Sequence, residues 1–310
     1  MLLNRSWISA EDGNEGKESE TQQRFRVMQW NTLADALSPS TPTENFVNCP
    51  TPVLAWENRK EQLLAEIKQT KPDVICLEEV DHFPDFFQPE LEKLGFKGSF
   101  LAKPFSPCLK CSENSGPDGC AVFFKESVFE LKAEHRINLQ DSERKQTNQV
   151  ALALVLSFSG ETSDKQTKKA LPVCIAATHL KSKSTFSALR AAQGKHLLDE
   201  LATISADMPT IVCGDFNADP DEDVCDLFRH HEPPYSSVYP NEPDDFTTWK
   251  FRPNGEAYHT IDYIWFRPTG LRAGSRLALA SKAEIGEAGL PCIRYPSDHL
   301  ALACDFVLLR

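Results

Sequence analysis

The segment HLLDELATISADMPTIVCGDFNADP, residues 196–220, decides the fold class. Leu197, Leu198, Leu201 and Ile204 recur at helical spacing, Met208-Pro209 closes the helix, and residues 210–213 form an apolar run too short for a second one. A helix therefore feeds straight into a buried-looking strand. The same step occurs earlier, where Trp56, Lys60, Leu63 and Ile67 precede the run 73–77. Further strand-like runs, rich in Val, Ile and aromatic residues, fall at 24–30, 119–124, 148–158, 172–178, 260–266 and 300–308. A chain that alternates in this way, with no repeat and no Gly/Ser linker, is expected to be a layered α/β protein whose functional residues sit where strands end and loops begin.

The 310 residues are 41% hydrophobic, enough to bury one large core, so a single domain over residues 24–310 is expected. The opening residues 1–23 are acidic and polar and are expected to form a disordered tail. They lack the apolar centre of a secretory signal and the Arg-rich look of a transit peptide, and no apolar run approaches the length of about 20 residues that a membrane span needs. The expectation is a soluble, cytoplasmic protein. Cys76, Cys174, Cys213 and Cys304 lie inside apolar runs, where thiols behave as small hydrophobes, and this favours a reducing compartment over disulfides. Cys108 and Cys111 have C-x-x-C spacing but no partner pair at zinc-site distance. With 33 basic against 45 acidic residues, the net charge of −12 repels long polyphosphates and favours a small phosphorylated substrate.

Each apolar run is followed or broken by groups that a pure core would reject: Asn31, Glu78-Glu79, His179, Asp215 with Asn217, and Asp262 with the Asp298-His299 pair. In IVCGDFNADP a Gly lets the backbone turn, and extended geometry would aim Asp215 and Asn217 the same way. Glu78 and Glu79, being adjacent, should face opposite sides, so only one looks into the site of Asp215. A lone carboxylate beside a phosphate would be repelled, so its economical role is to hold Mg²⁺. Adjacent residues seldom pair productively, which makes Asp262, and not Asp298, the group to orient His299. Such a pairing raises the imidazole pKa and keeps it protonated near neutrality.

The motifs VMQWN, DVICLEEV, GPDGCAVFF, ATHL, CGDFNADP, TIDYIWF and YPSDHLALACDF occur in the order and spacing of the endonuclease/exonuclease/phosphatase superfamily, which the chain resembles over roughly residues 24–308. The resemblance implies a DNase I-like, four-layer fold: a two-sheet sandwich flanked by helices. It implies that Asn31 and Glu79 assist metal and phosphate, with Glu79 the principal Mg²⁺ ligand. Asp215 and Asn217 would activate the attacking water, His179 would contact the phosphate, Asp262 would orient His299, and Asp298 would support the metal-water network. After ATHL the poly(A)-trimming deadenylases of the superfamily carry a second His and an acidic residue, whereas this chain has THLKSK. With LAKPFSPC, TNQVA and WKFRPNGEAYHTIDYIW, this resembles a dinucleotide-directed branch. By that resemblance Lys103, Lys181, Lys183 and Arg252 would line a pocket for a second phosphate and Asn148 would contact substrate. The implied reaction is loss of the 2′-phosphate from NADP⁺ or NADPH to give NAD⁺ or NADH. Two positions depart from that branch: Lys183 replaces an Arg, weakening any bidentate grip, and Glu78 replaces a Gln, adding charge beside the metal. Trp249, Tyr263 and Trp265 could stack on a base, with two of the three expected in the core. Poly(A) exonuclease action and a catalytically weak adaptor are the other readings. RNA or an mRNA-decay protein is the alternative partner, no membrane is expected, and the protein is expected to be a monomer.

Overall fold

The structure is a computed structural model and describes residues 2–9, 23–38, 46–159 and 172–309. In chain order the strands are β1 (Trp7–Ile8), β2 (Gln23–Asn31), β3 (Val74–Val80), β4 (Phe96–Ala102), β5 (Gly119–Lys125), β6 (Phe129–Gln140), β7 (Gln146–Phe158), β8 (Val173–His179), β9 (Thr210–Asp215), β10 (Ser236–Ser237), β11 (Thr248–Arg252), β12 (Gly255–His259), β13 (Asp262–Phe266), β14 (Leu271–Leu277) and β15 (Leu302–Leu308). The α-helices are α1 (Thr51–Leu54), α2 (Trp56–Thr70), α3 (Gln88–Glu92), α4 (Ser187–Ser205), α5 (Asp223–Arg229) and α6 (Lys282–Ile285). One sheet has seven strands in the order β1-β14-β15-β2-β3-β5-β4, the other six in the order β10-β13-β9-β8-β7-β6, and β11-β12 is a separate hairpin.

Three apolar layers account for the stacking. Alternate residues of each strand go to opposite faces. Phe25, Val27, Val74, Cys76 and Val122 of the first sheet therefore meet Leu152, Leu154, Ile175, Ile211, Cys213 and Ile264 of the second between the sheets. Met28, Trp30, Ile75, Leu77 and Phe123 face outward and are covered by Leu63, Leu64 and Ile67 of α2. On the far side Leu197, Leu198 and Leu201 of α4 cover Ala151, Ala153, Val212 and Trp265. Each of these leucines contributes about 1.5–3 kcal/mol by leaving water, which is what presses the helices onto the sheets. The order helix, sheet, sheet, helix is the four-layer sandwich expected above.

Gly214 lies in the extended strand β9 and makes no turn there. A Cβ on it would stand 2.1 Å from the carbonyl oxygen of Thr178, so the glycine serves the close approach of β8 and β9. The disorder expected through Gln23 does not extend to residues 2–9. Leu3 is buried, β1 pairs with β14, and the Arg5 guanidinium, itself buried, pairs with Glu66 and donates to the carbonyl of Ala301 at 2.7 Å. The Arg26 guanidinium covers the Trp7 ring at 3.7 Å. Leu3, buried, and Trp7, packed against the outer core, anchor a segment whose average composition is polar. The rest of the expected tail, 10–22, lies outside the described residues.

Candidate active site

The inward faces of the central strands are apolar until one end of the sandwich, where the next inward residue is polar. On β2, Phe25 and Val27 are followed on the same face by Gln29 and Asn31; on β3, Val74 and Cys76 by Glu78; on β8, Ile175 and Ala177 by His179; on β9, Ile211 and Cys213 by Asp215. The antiparallel β13 arrives from the other direction and begins with Asp262 before Ile264. Sheet register then gathers these ends, pairing Asp215 with Asp262 and with His179, and Asn31 with Glu78. The same alternation that builds the core thus delivers the site, and buried groups of this kind persist only when paired.

Glu78 and Glu79 separate at a bulge. Leu77 pairs with Ala121 and Val80 with Gly119, so two residues of β3 stand against one of β5, and Glu79 takes the left-handed φ of 54°. That conformation costs a non-glycine residue about 1–3 kcal/mol and tends to persist where it aims a functional side chain. Half-buried Glu79 accepts from Asn31 Nδ2 at 3.3 Å and from the Ala34 amide at 3.2 Å. Glu78 points between the sheets, fully buried, and accepts from Gln29 Nε2 at 2.8 Å. Burial first, then the neighbouring Cys76, raises its carboxyl pKa well above the usual range. Burial thus favours its neutral form, which works against the extra charge expected beside the metal.

His299 Nδ1 and Asp262 Oδ2 are 2.9 Å apart. The same oxygen accepts from Thr247 Oγ1 at 2.6 Å, and Oδ1 accepts from Gln29 Nε2 at 3.2 Å. His299 Nε2 stands 3.9 Å from Asp215 and 3.8 Å from Asp298. Burial alone would lower the imidazole pKa, but Asp262, Asp298 and Asp215 together raise it to about 9. Burial, reinforced by Asp262 and opposed by His299, pushes Asp215 up to about 7. Asp298 would also rise on burial, yet the ammonium of Lys250, then His299, hold it well below the carboxylate range.

Two places could hold a metal. Asp215, Asp262 and His299 offer ligand atoms within 4.8 Å of one another. The imidazole beside Asp262 is held protonated, however, which suits an anion better than a cation. Glu79 is the better match to a hard divalent ion that keeps most of its water, because it is an oxygen ligand open to solvent beside the amide of Asn31.

Asn31 Nδ2 also donates to Asp215 Oδ2 at 2.9 Å, so Asn31 links the two carboxylates. His179 Nε2 lies 3.6 Å from Asp215, and its Nδ1 is 3.3 Å from Lys103 Nζ. Burial, then Lys103 and His299, push the His179 pKa well below its ordinary value, so it is neutral. Asn217 adopts a left-handed φ of 51°, its amide N–H donating to Asp215 Oδ1 at 2.9 Å and its side chain to the Leu180 carbonyl at 3.2 Å. The pair forms an Asx turn, and their proximity comes from that turn, since β9 ends at Asp215. Lys103 pairs with Asp118 at 2.5 Å. Burial first, then the charges of Lys183 and Lys103, lower the Lys181 pKa, and the charge of Lys181 in turn bears on His179. Asn148 Oδ1 accepts from the Phe105 amide at 2.7 Å and pins the loop after Lys103. Arg252 stands on the hairpin across the site, its charge bearing on Asp298 and its guanidinium 5.1 Å from the Phe46 ring. Trp249, Tyr263 and Trp265 are all buried, so none of the three presents a face for stacking. Cys111 of the C-x-x-C pair donates its thiol to the Ala36 carbonyl at 3.1 Å.

Four supporting residues were not singled out from sequence: Gln29, Thr247, Lys250 and Arg59. Arg59 of α2 is fully buried and donates to the carbonyls of Thr32, Leu33 and Pro296, tying the loop after Asn31 to the loop before Asp298. Gln29 had a readable signal, an amide inside an apolar run at the spacing of Asn31. Thr247, Lys250 and Arg59 had none, because their partners lie 15 to 237 residues away.

The profile of the Endonuclease/Exonuclease/phosphatase family matches residues 28–299. The nocturnin of Xenopus laevis is 44% identical over 98% of this chain and 77% of its own length, and that of Homo sapiens 45% identical over 92% and 66%. The chain thus spans about two thirds of the human relative. The CCR4-Not complex 3'-5'-exoribonuclease subunit Ccr4 of Candida glabrata is 25% identical over 99% of this chain and 39% of its own. Among solved structures, the human nocturnin catalytic domain with bound sulfate superposes with a TM-score of 0.77 at 38% identity, covering 98% of this chain and 97% of that one. A family profile over most of the chain, and nocturnins matching nearly all of it, show that the chain belongs to the endonuclease/exonuclease/phosphatase family of metal-dependent phosphoester hydrolases, on its nocturnin branch.

Proposed function

We propose that the protein is a Mg²⁺-dependent phosphatase that removes the 2′-phosphate of NADP⁺ or NADPH, giving NAD⁺ or NADH and inorganic phosphate. The observation that carries this reading is the group of three lysines, Lys103, Lys181 and Lys183, beside neutral His179, on a chain whose net charge is −12. A compact group of cations on an acidic molecule suits one small polyanion. The phosphoester would sit with its oxygens between His179, Asn31 and protonated His299. Asp215, with its pKa near 7, takes a proton from the attacking water as the water oxygen bonds to phosphorus. The P–O bond to the ribose breaks in line, and the 2′-oxygen leaves and is protonated from solvent. Mg²⁺, held by Glu79 next to Asn31, would supply Lewis-acid neutralisation of phosphoryl and leaving-group charge.

Likeness to an exoribonuclease subunit supports a second reading, 3′-exonuclease action on poly(A) with the same catalytic set. One assay separates them: purified protein with Mg²⁺ is given NADP⁺, NADPH and oligo(A) side by side. Phosphate release from a dinucleotide with little shortening of oligo(A) is expected. Efficient shortening without phosphate release would replace the first reading by the second.

A further inference from the structure

Strand β11 has two unlike faces. Trp249 and Phe251 pack into the outer core under α2, so Thr248, Lys250 and Arg252 occupy the opposite face. That face lies along the segment carrying Asp298 and His299. Thr248 bridges to His299 through the backbone, the Leu300 amide donates to the Thr247 carbonyl at 2.7 Å, and Thr248 Oγ1 donates to the Asp298 carbonyl at 2.7 Å. Two residues further along, the Lys250 ammonium is hydrogen-bonded to Asp298 Oδ2, with its side chain only 13% exposed. The strand therefore grips Asp298 at both ends, main chain by Thr248 and carboxylate by Lys250.

What the carboxylate would otherwise do is set by its neighbour. His299 Nδ1 is committed to Asp262, and its Nε2 faces Asp298 at 3.8 Å and Asp215 at 3.9 Å, both beyond hydrogen-bond reach. A buried carboxylate without its cation is strongly unfavourable and moves to the nearest donor. For Asp298 that donor is the Nε2–H that a phosphoryl group needs.

We infer that Lys250 is a positioning residue for phosphoester hydrolysis: by holding the Asp298 carboxylate on the hairpin side it keeps His299 Nε2 free to face the phosphoryl group. The inference rests on His299 acting on substrate, and it holds for any phosphoester cleaved at this site.

The test compares wild type, Lys250→Met and Lys250→Arg, by steady-state kinetics on NADP⁺ and oligo(A) and by crystal structures of both variants. Lys250→Met should lower kcat about tenfold or more while leaving KM within about threefold, since the loss falls on a transition-state contact. Lys250→Arg, which can still pair with Asp298, should restore most of it. The Lys250→Met structure should show the Asp298 carboxylate moved to within hydrogen-bond distance of His299 Nε2. Raised KM with unchanged kcat would make Lys250 a substrate contact and overturn the inference, as would unaltered kinetics. Should the wild type release no phosphate from NADP⁺, the substrate reading falls, and the position of Asp298 in Lys250→Met still decides the role of Lys250: an unmoved carboxylate overturns it.

Discussion

The two adjacent glutamates show what one residue of register is worth. Alternation said that Glu78 and Glu79 face different ways, but not which one meets the metal, because the bulge that turns Glu79 outward depends on pairing with Gly119 and Ala121 some 40 residues on. Glu79→Gln should nearly abolish turnover with the fold intact, since it removes several kcal/mol of Lewis-acid stabilisation along with the metal. Glu78→Gln should stay within a few-fold of wild type, because an amide replaces a carboxyl that burial shifts toward its neutral form and can still accept from Gln29. Reversal of the two results, measured as kcat with circular dichroism as a fold control, would reassign the metal ligand. The pH profile tests the other carboxylates. Asp215 must lose its proton to act as base and His299 must keep its own, so kcat should rise through pH about 7 and fall through about 9. Because these groups interact, the two limbs belong to the pair. Asp262→Asn removes the carboxylate that raises the imidazole pKa, and should move the alkaline limb to lower pH. An unmoved limb would assign that titration elsewhere.

At the scale of elements, legibility followed burial. Runs such as 74–77 and 211–213, apolar at every position, announce strands buried on both faces. β6 reads FELKAEHRINLQ, where charged residues alternate on an exposed face, and β14 reads LRAGSRL; neither was singled out, because half-exposed strands lack a continuous apolar run. In the hairpin β11-β12 the sequence points to Trp249 and Arg252; Trp249 is core, while Thr248 and Lys250 on the opposite face, unmarked in the sequence, serve the site. The N-terminal segment was misjudged for a related reason: a few anchors outweigh a polar average. Its docking makes a stability prediction. Glu66→Ala strands the Arg5 guanidinium in a site where it is 8% exposed, and removing one partner of a buried pair costs about 3–5 kcal/mol. Urea unfolding should show a lower midpoint at unchanged slope. Deleting residues 1–9 together with Glu66→Ala should cost less than the sum of the two changes, since they share one interaction. Strict additivity would mean that the segment does not dock in solution.

Over the whole molecule, two patterns of charge meet at one end of the sandwich: an acidic exterior and a few cations near His179 and on β11. A chain that tracks poly(A) must neutralise many backbone phosphates, and its binding falls steeply with salt, by about 0.7 of a log unit per log unit of salt for each single-strand phosphate contacted. A closed pocket for a dinucleotide has only a few such contacts. The KM for NADP⁺ should therefore rise with salt with a log–log slope of no more than about three, one for each of a handful of cations. Lys181→Ala should raise that KM about tenfold with kcat nearly unchanged, as expected when a charge-assisted contact made equally in ground and transition states is lost. Lys183→Arg should hold or improve affinity, because a guanidinium offers phosphate a two-pronged grip that an ammonium lacks. Lys183 sits exposed with a left-handed φ of 79° in a loop whose carbonyl accepts from Arg190 at 2.7 Å, so the longer head can be accommodated without disturbing the core. A steep salt dependence, or a Lys181→Ala variant that loses kcat at constant KM, would mean that these lysines do not form a substrate pocket.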